Sequence, residues 1–150
     1  ASIVCLVNEG SKYESAQGIS DLKGAVCTSQ QNTVWYDVCL PQIEDANILP
    51  AQESAPAMLV ALSAGRVDLI CTDMPTAQAA LVAYPSFHLL DFTDSEDNFV
   101  VSQEEINIGI SVSKSNPELT AAINEVLATL TVDDFNKMMD EAISVQPLSN

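Results

Sequence analysis

Apolar and polar positions alternate in blocks along this 150-residue chain. Ser2-Ile3-Val4-Cys5-Leu6-Val7 is a short apolar run ending at Asn8 and Gly10, the pattern of a strand buried on both faces. The polar stretch Glu9 to Ser20 is then a loop. Ala25 to Ser29 is a second strand, after which Thr33 caps a helix carrying Trp35, Tyr36 and Cys39 that stops before Pro41. Ile48-Leu49 begins a third strand. Ser54-Ala55-Pro56 is an N-cap and first turn, with Met58, Leu59 and Leu62 as the apolar stripe and Gly65 as the terminator. Val67 to Thr72 is apolar again; Asp73 leaves that strand and Pro75 opens a helix carrying Ala79, Ala80, Leu81 and Val82. Phe87 to Phe92, Phe99 to Val101 and Ile106 to Val112 are three more strand candidates.

Strands and helices alternate up to Leu90, which predicts an α/β fold: a mainly parallel open sheet with helices on both faces and right-handed crossovers. The end of the chain differs in character. Asn116-Pro117-Glu118 starts a helix whose Leu119, Ala122, Ile123, Val126, Leu127 and Leu130 keep a 3.6-residue spacing, and a second helix places Phe135, Met138, Met139, Ala142 and Ile143 on one face. Residues 1–113 therefore read as an α/β lobe and 114–150 as a C-terminal helical segment.

Composition narrows the partners. With 47% hydrophobic residues the chain can bury one core, and 21 acidic against five basic residues, a net charge of -16, argue against nucleic acid and anionic lipid surfaces. No apolar run is long enough to span a bilayer, and no basic-then-apolar signal pattern opens the chain. The lack of an initiating Met fits processing or a domain boundary and leaves an extracytoplasmic address open. Cys5, Cys27, Cys39 and Cys71 allow three pairings if all are oxidised, but their spacing matches no zinc motif, and reduced core thiols are the favoured reading.

In an open α/β sheet, small ligands bind beyond the carboxyl ends of the strands, where helix N-termini offer unpaired N–H groups. Gln30 to Thr33 falls at such a place: amides near Asn32, Thr33 and Val34, with the Thr33 hydroxyl, suit a carboxylate, although Thr33 as a plain helix cap is the simpler account. Asp73 ends an apolar strand and could hold an ammonium group or merely stabilise the next helix. A donor cluster for a carboxylate beside an acceptor for an amine describes a free amino acid.

Asp21-Leu22-Lys23-Gly24 with Gln30-x-Asn32-Thr33, then Ala61-Leu62-x-x-Gly65-Arg66-x-Asp68 with Asp73 and Pro75, resembles the second lobe of extracellular solute-binding proteins of the polar amino acid family, which serve ABC importers. Ile110-Ser111-Val112-x-Lys114-x-Asn116-Pro117-x-Leu119 with Ile123-Asn124 is similar to that family's return strand and C-terminal helix. The resemblance covers most of residues 1–143 and implies a type 2 periplasmic-binding-protein lobe plus two C-terminal helices. By it, Asp73 meets the ligand ammonium, Thr33 the ligand carboxylate, and Gln30 lies near enough to reach the ligand; Asn32 stands where the family usually has Gly. Arg66 and Asp68 take structural places in a turn at the far end of the sheet.

The resemblance also implies a membrane permease as partner, an extracytoplasmic location, no cofactor, no catalysis, and hinge closure with Ser2 to Val7 and Ile106 to Val112 as the crossing strands. A first lobe, with its arginine and aromatic residues, would lie outside this sequence. Weak or no binding is then expected from the chain alone, and the C-terminal helices would fold back or self-associate. The alternatives are a dehydratase-like enzyme on the same fold, for which no second acid or base accompanies Asp73, and the sensing domain of a membrane receptor. His88, within Phe87-His88-Leu89-Leu90, reads as a strand residue, and Asp91, Asp94, Glu96, Asp97, Glu104 and Glu105 as a solvated acidic loop rather than a metal site.

Overall fold

A computed structural model describes residues 2–145. They form two compact units, one reaching to Asn107 and one starting at Ile108. The first holds strands β1 (Ile3–Asn8), β2 (Val26–Thr28), β3 (Asn47–Ile48), β4 (Leu69–Asp73) and β5 (Phe87–Leu90), with helices α1 (Ala55–Ser63), α2 (Met74–Ala83) and the short α3 (Gln103–Ile106). The second holds α4 (Pro117–Leu127) and α5 (Val132–Val145).

The five strands form one sheet in the order β3-β2-β4-β1-β5. β2 pairs in parallel with β3 and β4, whereas β1 runs antiparallel to both β4 and β5. Four strands thus share one direction, as the alternation of elements predicts, and the chain's first strand is inserted against them. That reversal has no signature in periodicity, because a strand buried on both faces is apolar throughout whichever way it runs.

Both faces of β1 are used. Val4 and Leu6 join Ile70, Met58, Leu62, Ala77 and Phe87 in the core under α1 and α2. Ile3, Cys5 and Val7 join Leu69, Cys27, Cys39, Cys71 and Leu40 on the opposite face. The two-residue period of the strand assigns each side chain to its layer, and each fully buried Leu or Val contributes about 1.5–3 kcal/mol relative to exposure. All four cysteines are buried free thiols.

α1 starts where its sequence predicts: the Ser54 hydroxyl accepts from the Ala57 N–H at 3.3 Å, Pro56 occupies the first turn, and Gly65 at φ +67 lies just past its end. The segment after β2 departs from the expected regular helix. Trp35–Cys39 is a single wide π-type turn, and Leu40–Gln42 tightens into a 3-10 turn that contains Pro41. Pro41 is the second residue of that turn, still within its first turn where no N–H partner is needed, so it continues the helical path.

Two expected strands do not form. At Phe99 to Val101 the backbone is claimed by a side chain: the Val100 N–H donates to Gln42 Oε1 at 2.8 Å and Gln42 Nε2 donates to the Val100 carbonyl at 2.9 Å. At Ile106 to Val112 the alternation is strand-like, but Ser102 and Glu105 form a capping box that winds Gln103–Ile106 into helix, and no strand among the described residues pairs with residues 107–112. Ile108 and Ile110 are exposed.

In the second unit the Asn116 side chain accepts from the Leu119 N–H, and Thr131 and Asp134 exchange hydrogen bonds ahead of α5. Leu119, Val126, Leu127, Phe135, Met138 and Met139 are all exposed. No helix among the described residues is long and apolar enough to cross a membrane.

Candidate functional site

The parallel pair β2 and β4, in register at Cys27 with Leu69 and at Thr28 with Ile70, ends both strands at one edge of the sheet. β1 begins at this edge, with Ile3 opposite Asp73 and the Met74 N–H donating to the Ser2 carbonyl at 3.1 Å. The turn 30–33 after β2 and the start of α2 after β4 therefore emerge from neighbouring strands.

Buried polar side chains lock the edge. The Ser29 hydroxyl donates to the Cys71 carbonyl at 2.6 Å and the Thr28 hydroxyl to the Pro50 carbonyl at 3.0 Å. Gln52 extends the pairing on the other side, donating its N–H to the Ser29 carbonyl at 2.9 Å and accepting from the Gln31 N–H at 2.8 Å. No buried side-chain N or O atom among the described residues lacks a partner, so the edge is rigid without leaving an unpaired polar group inside.

On this base the four residues singled out by sequence fall on two adjacent turns: Gln30, Asn32 and Thr33 on one, Asp73 on the other. Gln30 is half-buried, and its carbonyl accepts the Thr33 hydroxyl at 2.7 Å. Asn32 is exposed and sits at φ +59, in the left-handed region that Asn tolerates better than most residues. The Thr33 hydroxyl also accepts from the Tyr36 N–H at 3.3 Å, so it acts as a cap in both directions. The helical bonds begin at the Asp37 N–H, which donates to the Thr33 carbonyl, so the first-turn amides are those of Val34, Trp35 and Tyr36, the last already donating to the Thr33 hydroxyl.

Asp73 is half-buried and caps α2: one carboxylate oxygen accepts from the Thr76 N–H at 2.7 Å. The other oxygen has no hydrogen bond among the described residues. The edge thus offers a first-turn amide cluster and an open carboxylate oxygen on neighbouring strand ends, a combination able to pair with a zwitterion.

The opposite edge is built differently. Asp68 ties the start of β4 to β2, its carboxylate accepting from the Val26 N–H at 2.9 Å and its own N–H donating to the Val26 carbonyl at 2.7 Å. An open depression of about 320 Å³ lies there, lined by residues that include Asn8, Ser11, Lys12 and Asp68. Lys23 pairs with Glu44 and Asp45, which raises its pKa, the Glu44 hydrogen bond first. His88 sits exposed on β5 with Nδ1 3.8 Å from Glu14. The acidic stretch is occupied in local structure: Asp91 accepts from Thr93, Asp97 from the Ser20 N–H, and Glu105 from Ser102, whose bonds lower the Glu105 pKa.

Solved structures share this architecture. An amino acid ABC transporter substrate-binding protein from Streptococcus pneumoniae, bound to L-arginine, superposes with a TM-score of 0.74 at 17% identity, covering 97% of this chain and 57% of its own. The arginine-bound form of a truncated ArgBP from T. maritima gives 0.65 at 24% identity, over 87% of this chain and 56% of that one. The substrate-binding protein of an amino acid ABC transporter gives 0.62 at 21%, over 93% and 58%. The fold is that of amino acid substrate-binding proteins. No protein-family model and no curated protein sequence matches the chain. The substrate-binding-protein fold is spanned here over 56–58% of the length of these three structures.

Sequence reasoning missed Ser29 and Gln52. Ser29 lies inside a strand-like run and Gln52 in a polar loop, and their roles depend on which strands lie side by side. A hydroxyl one residue past a buried strand end is the only local hint for Ser29.

Proposed function

We propose that this chain is the ligand-binding lobe of an amino acid receptor for an ABC-type importer, working without catalysis or cofactor outside the cytoplasm. The observation that carries the reading is the adjacency of the two turns: the turn at Asn32 to Val34 and the open oxygen of Asp73 stand on strand ends joined by the Ser29 to Cys71 bond. The shared fold supports it. In this reading Asp73 receives the ligand ammonium, the turn at Asn32 and Thr33 receives the carboxylate through its amides, and Gln30 borders the ligand.

Residues up to 113 make the lobe, and the helices that follow, α4 and α5, seat their exposed apolar faces against a second lobe or another copy. Ser2 to Val7 and Ile106 to Val112 are the hinge segments. A membrane permease recognises the closed form, in which ligand bridges both lobes.

The test is a titration of the isotope-labelled chain with glutamine, following backbone amide signals. The expected result is a saturable shift confined to residues 30–34 and 73–76. Asp73→Asn keeps a good cap yet removes the charge, so it should weaken the response with little change in melting temperature. Because a single lobe binds weakly, the same titration is repeated with a first lobe of this fold added, and shifts absent from both turns in both experiments would sink the proposal.

A further inference from the structure

Cys5 on β1 and Cys71 on β4 stand directly opposite each other in an antiparallel pair, and both point into the same core layer. The hydrogen bonding says which kind of pair they make. The Met74 N–H donates to the Ser2 carbonyl, so the step before Ile3 and Asp73 is hydrogen-bonded; by alternation, Ile3 with Asp73 and Cys5 with Cys71 are not. The other side of β1 agrees: the Glu9 N–H donates to the Ser86 carbonyl, a phase that turns the N–H and carbonyl of Cys5 towards Leu90 on β5 and away from Cys71. Pairs of this kind bring Cα atoms to about 4.5 Å, inside the separation of about 4.4–6.8 Å that a disulfide spans. Cys27 is instead in register with Leu69, and Cys39 reaches the Cys71 thiol from the π-type turn, outside the sheet.

Packing protects these thiols once the core has formed. Both are buried, and burial keeps the Cys71 thiol protonated well above its usual range, which makes it a poor nucleophile. Exchange with a disulfide donor therefore belongs to the chain that is still folding or has opened. There the Cys71 thiolate attacks one sulfur of the donor and releases one donor thiol; the Cys5 thiolate then attacks the Cys71 sulfur and releases the second. The two S–H protons end on the two donor thiols, the donor gains two electrons, and one S–S bond joins Cys5 to Cys71. That bond closes a long loop, which restricts the unfolded chain.

We propose that Cys5 and Cys71 are an oxidation site, which a disulfide donor in an oxidising compartment converts to a cross-strand disulfide stapling β1 to β4 two residues before Asp73. The inference is independent of which ligand the edge takes.

The test refolds the full chain in mixed oxidised and reduced glutathione, and in parallel in reduced glutathione alone. Remaining thiols are alkylated in denaturant and the chain is digested with trypsin. Cleavage after Lys12, Lys23, Arg66 and Lys114 puts Cys5 and Cys71 on separate peptides and Cys27 with Cys39 on a third. The oxidised sample should lack two hydrogens, carry alkyl groups only at Cys27 and Cys39, and yield one linked species of residues 1–12 with 67–114. It should melt about 10 °C above the reduced sample, with the same circular dichroism. Cys39→Ala should still form the link, and Cys5→Ala should leave Cys71 alkylated. Four alkylated thiols in the oxidised sample overturn the proposal, as does a link from 67–114 to 24–66, which gives the bond to Cys27 or Cys39. An oxidised sample that melts lower, or aggregates where the reduced one folds, overturns it too, since the bond would then work against this sheet.

Discussion

Ser29 and Cys71 are joined by a buried hydrogen bond, the Ser29 hydroxyl donating to the Cys71 carbonyl at 2.6 Å. The bond spans β2 and β4 just before the residues that form the candidate site, so it fixes the spacing of the two turns. Ser29→Ala should cost about 1–2 kcal/mol, since a buried carbonyl loses a partner. Urea unfolding should show a lower midpoint at an unchanged slope, and hydrogen exchange should quicken at residues 30–33. An unchanged midpoint would mean that backbone pairing alone sets the edge.

Much of this arrangement was legible in the chain. The Ser54-Ala55-Pro56 start of α1, its end at Gly65 and the placing of Asp73 between β4 and α2 all derive from capping chemistry, which is local. The direction of β1 was hidden, because direction is a property of pairing. Phe99 to Val101 misled for a related reason: the ladder its backbone would need is replaced by Gln42, 58 residues away from Val100. At the site, Asn32 stands where the resemblance puts Gly and takes the left-handed conformation, whereas the Thr33 hydroxyl is engaged on both sides, donating to the Gln30 carbonyl and accepting from the Tyr36 N–H.

Asn32 holds φ +59 at the tip of the turn. A side chain branching at Cβ pays about 1–2 kcal/mol in that region, and Gly pays none. Asn32→Gly should leave the melting temperature nearly unchanged, while Asn32→Val should lower stability by about 1–2 kcal/mol. Thermal denaturation of the two variants side by side checks this, and equal losses in both would point to the Asn side chain and not the backbone.

Gly18 is extended, at φ -168, so its backbone suits any residue; space is what it lacks. A Cβ there would stand 2.7 Å from the Asp97 Cβ. Asp97 accepts the Ser20 N–H at 3.0 Å through its carboxylate and the Ile19 N–H at 3.1 Å through its carbonyl, pinning the acidic segment to residues 18–20. Gly18→Ala should push that segment away at about 1–3 kcal/mol, the usual range for overpacking. Limited proteolysis should then cut within residues 91–98 at conditions where the parent resists, and an unaltered digest would show that the segment is held elsewhere.

The thiols give the fold an alkaline limit. Cys27 is fully buried, and burial, then the neighbouring Cys5 and Asp68, pushes its pKa from 9.0 up to about 12. Cys71 moves in the same direction, again through burial first and then its contacts with Cys39 and Cys5. Above pH 9 an unfolded Cys27 gives up its proton while the folded one keeps it, so the unfolded state binds fewer protons and stability must fall as pH rises. The contribution is intact below pH 9 and is lost progressively towards about pH 12, at up to ~1.4 kcal/mol per pH unit for this group. Lysines and tyrosines ionise in the same window, so the readout is a difference: urea midpoints of the parent and of Cys27→Ala across the range. The parent should lose stability more steeply than the variant. Parallel curves would mean that Cys27 ionises in the folded state as readily as in the unfolded chain, and that water reaches it inside the core.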